Sequence, residues 1–180
     1  SKEMVMGARE YQPDAYLTKP INRAMLEKRL GGLINQRNIL IPINREIDRE
    51  NYPEAISLCL QALPRHPRYK TWLMKTLGDL YFQLGDLAHA LKTYDEVLAQ
   101  RELSWAMLGR CKVLLAKRSL EEAVEGLRDL IEKHPDYMEA YDLLAKGLER
   151  QGRPTPAQKV LEKAVEHSPN ALLRQRHLAE

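Results

Sequence analysis

Residues 71–100, TWLMKTLGDLYFQLGDLAHALKTYDEVLAQ, read as two amphipathic helices joined at Gly85-Asp86. Glycine accepts the left-handed conformation that ends a helix, and aspartate is a strong N-cap for the next one. The same two-helix unit recurs along the chain. Ala55, Ala90, Ala123 and Ala157 each start an apolar helical stretch, and they lie 35, 33 and 34 residues apart. Pro67, Pro135 and Pro169 close units in phase, with Glu102 where one such proline would stand. A period near 34 with two helices per unit is the signature of a stacked helical-repeat array.

The reading extends outward to four units of helix A, turn and helix B, at residues 36–69, 71–103, 104–137 and 138–171. Ser119-Leu-Glu-Glu122 has the spacing of a capping box. Gly152 followed by Pro154 ends one helix and opens another, and Asn51 before Pro53 plays that part in the first unit. Pro42 lies inside helix A of the first unit, where it removes a donor and is expected to bend or shorten the helix. Residues 170–180 start a further amphipathic helix, either a cap or a fifth unit.

These units resemble the tetratricopeptide repeat family. The second carries Leu77-Gly78, Tyr81, Gly85, Ala90 and Tyr94. The third carries Cys111, Leu114, Ala123, Leu127, Leu130 and Pro135, and the fourth Leu144-Ala145, Leu148, Gly152, Ala157, Leu161, Ala164 and Pro169. The first is weakest, with Ile39, Ile43, Ala55, Cys59, Ala62 and Pro67. The resemblance implies an all-α fold, a right-handed superhelix of helix-turn-helix repeats over residues 36–180. Close packing is expected where Gly78 or Ala145 meets Ala90 or Ala157, because a larger side chain would hold the helices apart.

The first 34 residues differ. Asp14-Ala-Tyr-Leu-Thr-Lys-Pro20 reads as a short strand, followed by a helix at Asn22–Leu33 that ends around Gly31-Gly32 or a little beyond. This resembles the last third of a response-regulator receiver domain: fourth helix, fifth strand, fifth helix. The resemblance makes the fold a repeat array preceded by a short α/β remnant. It matches Lys19, before Pro20, to the family's phosphoryl-pairing lysine and Tyr16 to its reporting aromatic. The phospho-accepting aspartate of that family lies upstream of this segment. Magnesium belongs to an intact receiver, so no cofactor is expected here.

Carried over from the repeat family, the concave groove formed by the A helices is lined by Asn44, Trp72, Lys75, Asp79, Phe82, Trp105, Leu108, Lys112, Leu115 and Lys146. Both tryptophans fall at one repeat position, 33 residues apart. They either face the groove, as anchors for a partner, or pack between neighbouring units. Phe82 is divided in the same way between groove and core. The lysines beside the apolar centre suit a peptide or amphipathic helix with acidic flanks. The carboxylate clamp of chaperone-binding members is not expected. Asn44 matches one of its positions, but Leu40, Trp72, Thr76, Trp105 and Gly109 occupy others.

Catalytic chemistry is missing. No phosphate-binding glycine loop occurs, and His66, His89, His134, His167 and His177 are scattered, with no two of them four residues apart. Cys59 and Cys111 form no CxxC pair, so they are expected to be buried reduced thiols, and no metal site is expected. No apolar run approaches the roughly 18 residues of a membrane span. No secretory signal opens the sequence. The expectation is a cytoplasmic, non-enzymatic interaction scaffold, the output module of a bacterial two-component regulator. RNA binding is the first alternative. The net charge of +3 is mild, and the groove mixes Asp48, Asp79, Glu139, Asp142 and Glu149 with its cations. The second is a homodimer through the receiver remnant.

Overall fold

Gly31-Gly32 does not end a helix. The computed structural model describes residues 23–167, and in it Arg23–Asp48 is one helix of 26 residues, α1. Neither glycine takes a positive φ, so neither caps the chain. Pro42 is also accommodated in the helix interior, and α1 continues six residues beyond it. The boundary expected at residues 34–36 therefore falls inside a continuous helix. The strand expected at residues 14–20, the helix before it and the segment 170–180 lie outside the described residues. Among the described residues all regular structure is helical.

The chain divides into two compact units, residues 1–58 and 59–180. Helix α2, Tyr52–Arg65, spans the division, and a 3-10 turn follows at Pro67–Tyr69. In the second unit, α3 (Lys70–Leu84) pairs with α4 (Leu87–Gln100). Likewise α5 (Ser104–Ala116) pairs with α6 (Leu120–Lys133), and α7 (Met138–Arg150) with α8 (Pro154–His167). The short turns make each pair a helical hairpin.

One backbone device ends helix A of every repeat. Glu50, Gly85, Arg118 and Gly152 all take positive φ, at 57°, 80°, 62° and 73°. In each case the next residue's N–H donates to a carbonyl five positions back: Asn51 to Glu46, Asp86 to Tyr81, Ser119 to Leu114, Arg153 to Leu148, all at 2.9 Å. This is the glycine-type C-terminal helix motif, which satisfies carbonyls that the helix leaves orphaned. Two of the four positions do not hold glycine. An L-residue carries a cost of about 1–2 kcal/mol in that conformation. Arg118→Gly is therefore expected to stabilise the α5–α6 hairpin by about 1 kcal/mol, read as a higher urea midpoint at unchanged slope.

The N-caps divide differently. The Asp86 carboxylate accepts from the His89 N–H at 3.2 Å, as its position predicts. That bond, joined by the His89 ring at 2.7 Å, holds the Asp86 carboxyl below its ordinary range. Ser119 sits at the N-cap of α6, but its side chain makes no capping hydrogen bond. The capping box expected there does not form, because Glu122 accepts from Arg110 instead.

The core lies between the hairpins. Leu114, Leu127, Leu130, Leu144 and Leu148 are buried in one cluster that joins α5 to α8. The four phased alanines, Ala55, Ala90, Ala123 and Ala157, are all at most 1% exposed. Cys59 and Cys111 are buried, and burial raises their thiols to about 12 and about 11, so neither is a nucleophile at neutral pH.

Candidate partner-binding groove

Within the second unit, α5 touches both α3 and α7, whereas α4, α6 and α8 make no comparable contact with one another. The A helices thus form the closely spaced row, and their outward face is the candidate groove. A salt bridge crosses that row. Lys112 on α5 meets Glu139 on α7 at 2.5 Å. Arg150 on α7 donates to the Leu115 carbonyl at 3.2 Å. Lys112 is half-buried, and Glu139 compensates its charge. Lys75 and Lys146 are exposed. Among the described residues neither forms an ion pair, which leaves them as the row's available cations.

Tyr94 holds the A helices in place from behind. It stands on α4 and is 2% exposed. A methyl group at Gly78 on α3 would lie 2.6 Å from its Cζ, and one at Gly109 on α5 would overlap the ring more closely still. The ring is therefore seated between two helices that carry glycine where it passes. Its hydroxyl donates to the Asp79 carboxylate at 2.8 Å. Burial, reinforced by the Asp79 charge, pushes the phenol above its usual range. The close approach expected between Gly78 and Ala90 is in fact made to this ring. Tyr94 was legible as a repeat-pattern residue, but nothing in one unit's sequence reveals that it bridges to the glycine of the next.

The expected groove residues separate into three groups. Lys75 and Lys146 are exposed on the A-helix row, as is Asp79, whose carboxylate is engaged by Tyr94. Trp72, Phe82 and Trp105 are half-buried. Trp105 meets Tyr94 edge-on with centroids 6.4 Å apart, and it packs with Phe82 against the cluster of Ala90, Tyr94, Ala106 and Val113. Leu108 and Leu115 correct the expectation. They are 3% and 4% exposed and belong to the core, because α5 is covered on several sides by its neighbours. Asn44 lies exposed on α1 in the first unit. Tyr16, Lys19 and Pro20 lie outside the described residues.

Sequence reasoning missed Arg110. Its guanidinium joins Asp95 on α4, at 2.8 Å, to Glu122 on α6. The three residues are 15 and 12 positions apart in the chain, a spacing that carries no local signal. A separate cleft of about 810 Å³ lies at the edge of the α3–α4 hairpin, lined by Pro64, Pro67, Met74, Val97, Arg101 and Leu103 among others. None of the expected groove residues lines it. Among the described residues no His, Cys, Asp and Glu cluster could hold a metal ion, and no helix is long and apolar enough to cross a membrane.

A stack of helical hairpins with this glycine–tyrosine seating defines a repeat scaffold, and the family follows from comparison. The tetratricopeptide repeat model matches residues 44–104 and 75–137, together just over half of the chain. The chain belongs to the tetratricopeptide repeat family, whose members mediate protein–protein interaction. No curated protein matches it significantly. Among solved structures it is similar to MamA from Desulfovibrio magneticus RS-1, with 22% identity and a TM-score of 0.66, covering 79% of this chain and 80% of that one. It is similar to YrrB, described as a TPR protein with an unusual peptide-binding site, at 20% identity and a TM-score of 0.64, covering 87% and 81%. It is also similar to the first TPR of Spaghetti bound to the HSP90 peptide SRMEEVD, at 18% identity and a TM-score of 0.54, covering 60% and 86%.

Proposed function

We propose that this chain is a non-catalytic scaffold that holds a peptide or a single amphipathic helix with acidic flanks along the α3–α5–α7 row. The observation that carries the reading is the row's composition. Trp72, Phe82 and Trp105 are half-buried, with Lys75 and Lys146 exposed beside them. Half-buried aromatics give large contact area at little entropic cost, and the two cations supply steering and register. The peptide-binding solved neighbours support the class of ligand. The clamp positions held by Leu40, Thr76 and Gly109 disfavour a terminal carboxylate as the anchor.

Affinity capture from the source cell identifies the partner, with wild type beside a folded Trp72→Ala/Lys146→Glu variant. For the captured partner, Trp72→Ala is expected to weaken binding about tenfold or more, consistent with an aromatic hot spot. Equal capture and equal affinity by both proteins would move the binding surface off this row.

The finer reading is a cytoplasmic output module of a two-component regulator. It rests on Tyr16, Lys19 and Pro20 and on the unbroken passage of α1 into the first repeat. A continuous helix transmits a displacement at one end more directly than a flexible linker does. A protein that carries an intact receiver ahead of this segment, incubated with acetyl phosphate and magnesium, is expected to gain one phosphoryl group that alkali or hydroxylamine removes, as for an acyl phosphate. A protein that gains none counts against this role and leaves the scaffold reading intact.

A further inference from the structure

Helix α1 carries a second apolar stripe that is exposed among the described residues. Leu30, Ile34 and Ile41 are 46%, 59% and 42% exposed, against 1% for Ile43. Leu30, Ile34, Arg37 and Ile41 follow a 4-3-4 spacing, so all four lie on one helix face, away from Ile43. Water-facing isoleucine and leucine in a line along a helix mark an interaction surface rather than scattered exposure.

The charges at the two ends of this stripe say what covers it. Arg23 and Glu27 lie at the start, ion-paired with each other on the surface at 2.9 Å, and Arg45 and Asp48 lie at the end, all of them exposed. Arg23 and Asp48 share the angular sector of the apolar stripe. When a second α1 is laid antiparallel, with the two-fold axis between Asn35 and Gln36, Leu30 falls opposite the partner's Ile41. Ile34 then falls opposite the aliphatic stem of the partner's Arg37. Arg23 faces the partner's Asp48, and Glu27 comes beside the partner's Arg45. A parallel pairing would instead set Arg23 against Arg23 and Asp48 against Asp48. A two-fold contact is self-complementary by necessity, and only the antiparallel register satisfies that condition here.

We infer that the chain forms an antiparallel homodimer through the Leu30–Ile34–Ile41 face of α1. The overlap spans the helix length of about 39 Å. The apolar stripe supplies the affinity, while the end charges fix direction and register. The inference is independent of the groove proposal, since it concerns a different helix face and a different occupant.

The test is analytical ultracentrifugation of the whole chain across a concentration series, with circular dichroism to confirm that each variant is folded. Wild type is expected to dimerise, and Ile34→Glu to raise the dissociation constant at least about tenfold with unchanged helicity. Arg23→Asp and Asp48→Arg are each expected to weaken self-association. An equimolar mixture of the two is expected to recover the dimer, because both end pairs then become opposite in sign. A chain that is monomeric throughout overturns the inference. So does a dimer indifferent to Ile34→Glu, or one that the mixture fails to restore. A monomer destabilised by Ile34→Glu would show that the chain's own flanking residues cover the stripe, and would equally overturn it.

Discussion

Tyr94→Ala is expected to remove about 3–5 kcal/mol of stability, the range for deleting a large buried aromatic. The ring is 2% exposed and fills the space left by two glycines on two other helices, so its loss empties a site shared by α3, α4 and α5. Hydrogen exchange should report the loss chiefly in those helices, because each repeat is stabilised mainly by its neighbours. Tyr94→Phe keeps the ring and forfeits only the bond to Asp79, a change of about 1 kcal/mol. The same residue sets an alkaline limit. The folded phenol ionises above its ordinary value while the unfolded one ionises near about 10. The Tyr94 contribution is therefore complete below about pH 10 and is lost as the pH rises beyond it. Tyr94→Phe should flatten that part of the pH–stability curve; an unchanged slope would show that the phenol is not confined as described.

Gly109→Ala is expected to destabilise the protein by about 2 kcal/mol, even though alanine is the better helix former by about 1 kcal/mol. A methyl group there would enter the Tyr94 ring, and the ring has no room to retreat, because Gly78 closes its other side. Gly31→Ala is the control. That glycine is also helical, but nothing lies within 4 Å of the added carbon, so its substitution should be neutral or stabilising. The decisive comparison is the double variant. With Tyr94 already alanine, Gly109→Ala should cease to be destabilising, a coupling that two independent sites would not show. Urea denaturation of the four proteins measures the cycle, and additivity within error would refute the seating of the ring between the glycines.

Much of the repeat was open to reading because it is local. Gly85-Asp86 and Gly152-Pro154 state their turns in adjacent residues, where φ preference and capping chemistry act over a few bonds. The same locality misled at Ser119. Its spacing to Glu122 is that of a capping box, but Arg110, from a different helix, takes the glutamate. Gly31-Gly32 misled for a related reason. Glycine permits a helix to end without requiring it, and here α1 continues.

What the sequence determined by itself is the unit: two helices, a period near 34, small residues in phase and a tetratricopeptide pattern. Those features depend on side-chain periodicity and backbone preference within one hairpin. What only the tertiary structure decided is how hairpins share space. Leu108 and Leu115 occupy groove positions by count but sit in the core, because α5 is flanked by helices from both neighbouring units. Glu50 and Arg118 hold the left-handed turn that glycine fills at positions 85 and 152, with the same turn hydrogen bonds, Asn51 N–H to Glu46 and Ser119 N–H to Leu114. Tyr94 joins three helices through contacts 15 or more residues apart in the chain. Burial between repeats is a property of the stack, and a single repeat's residues do not contain it.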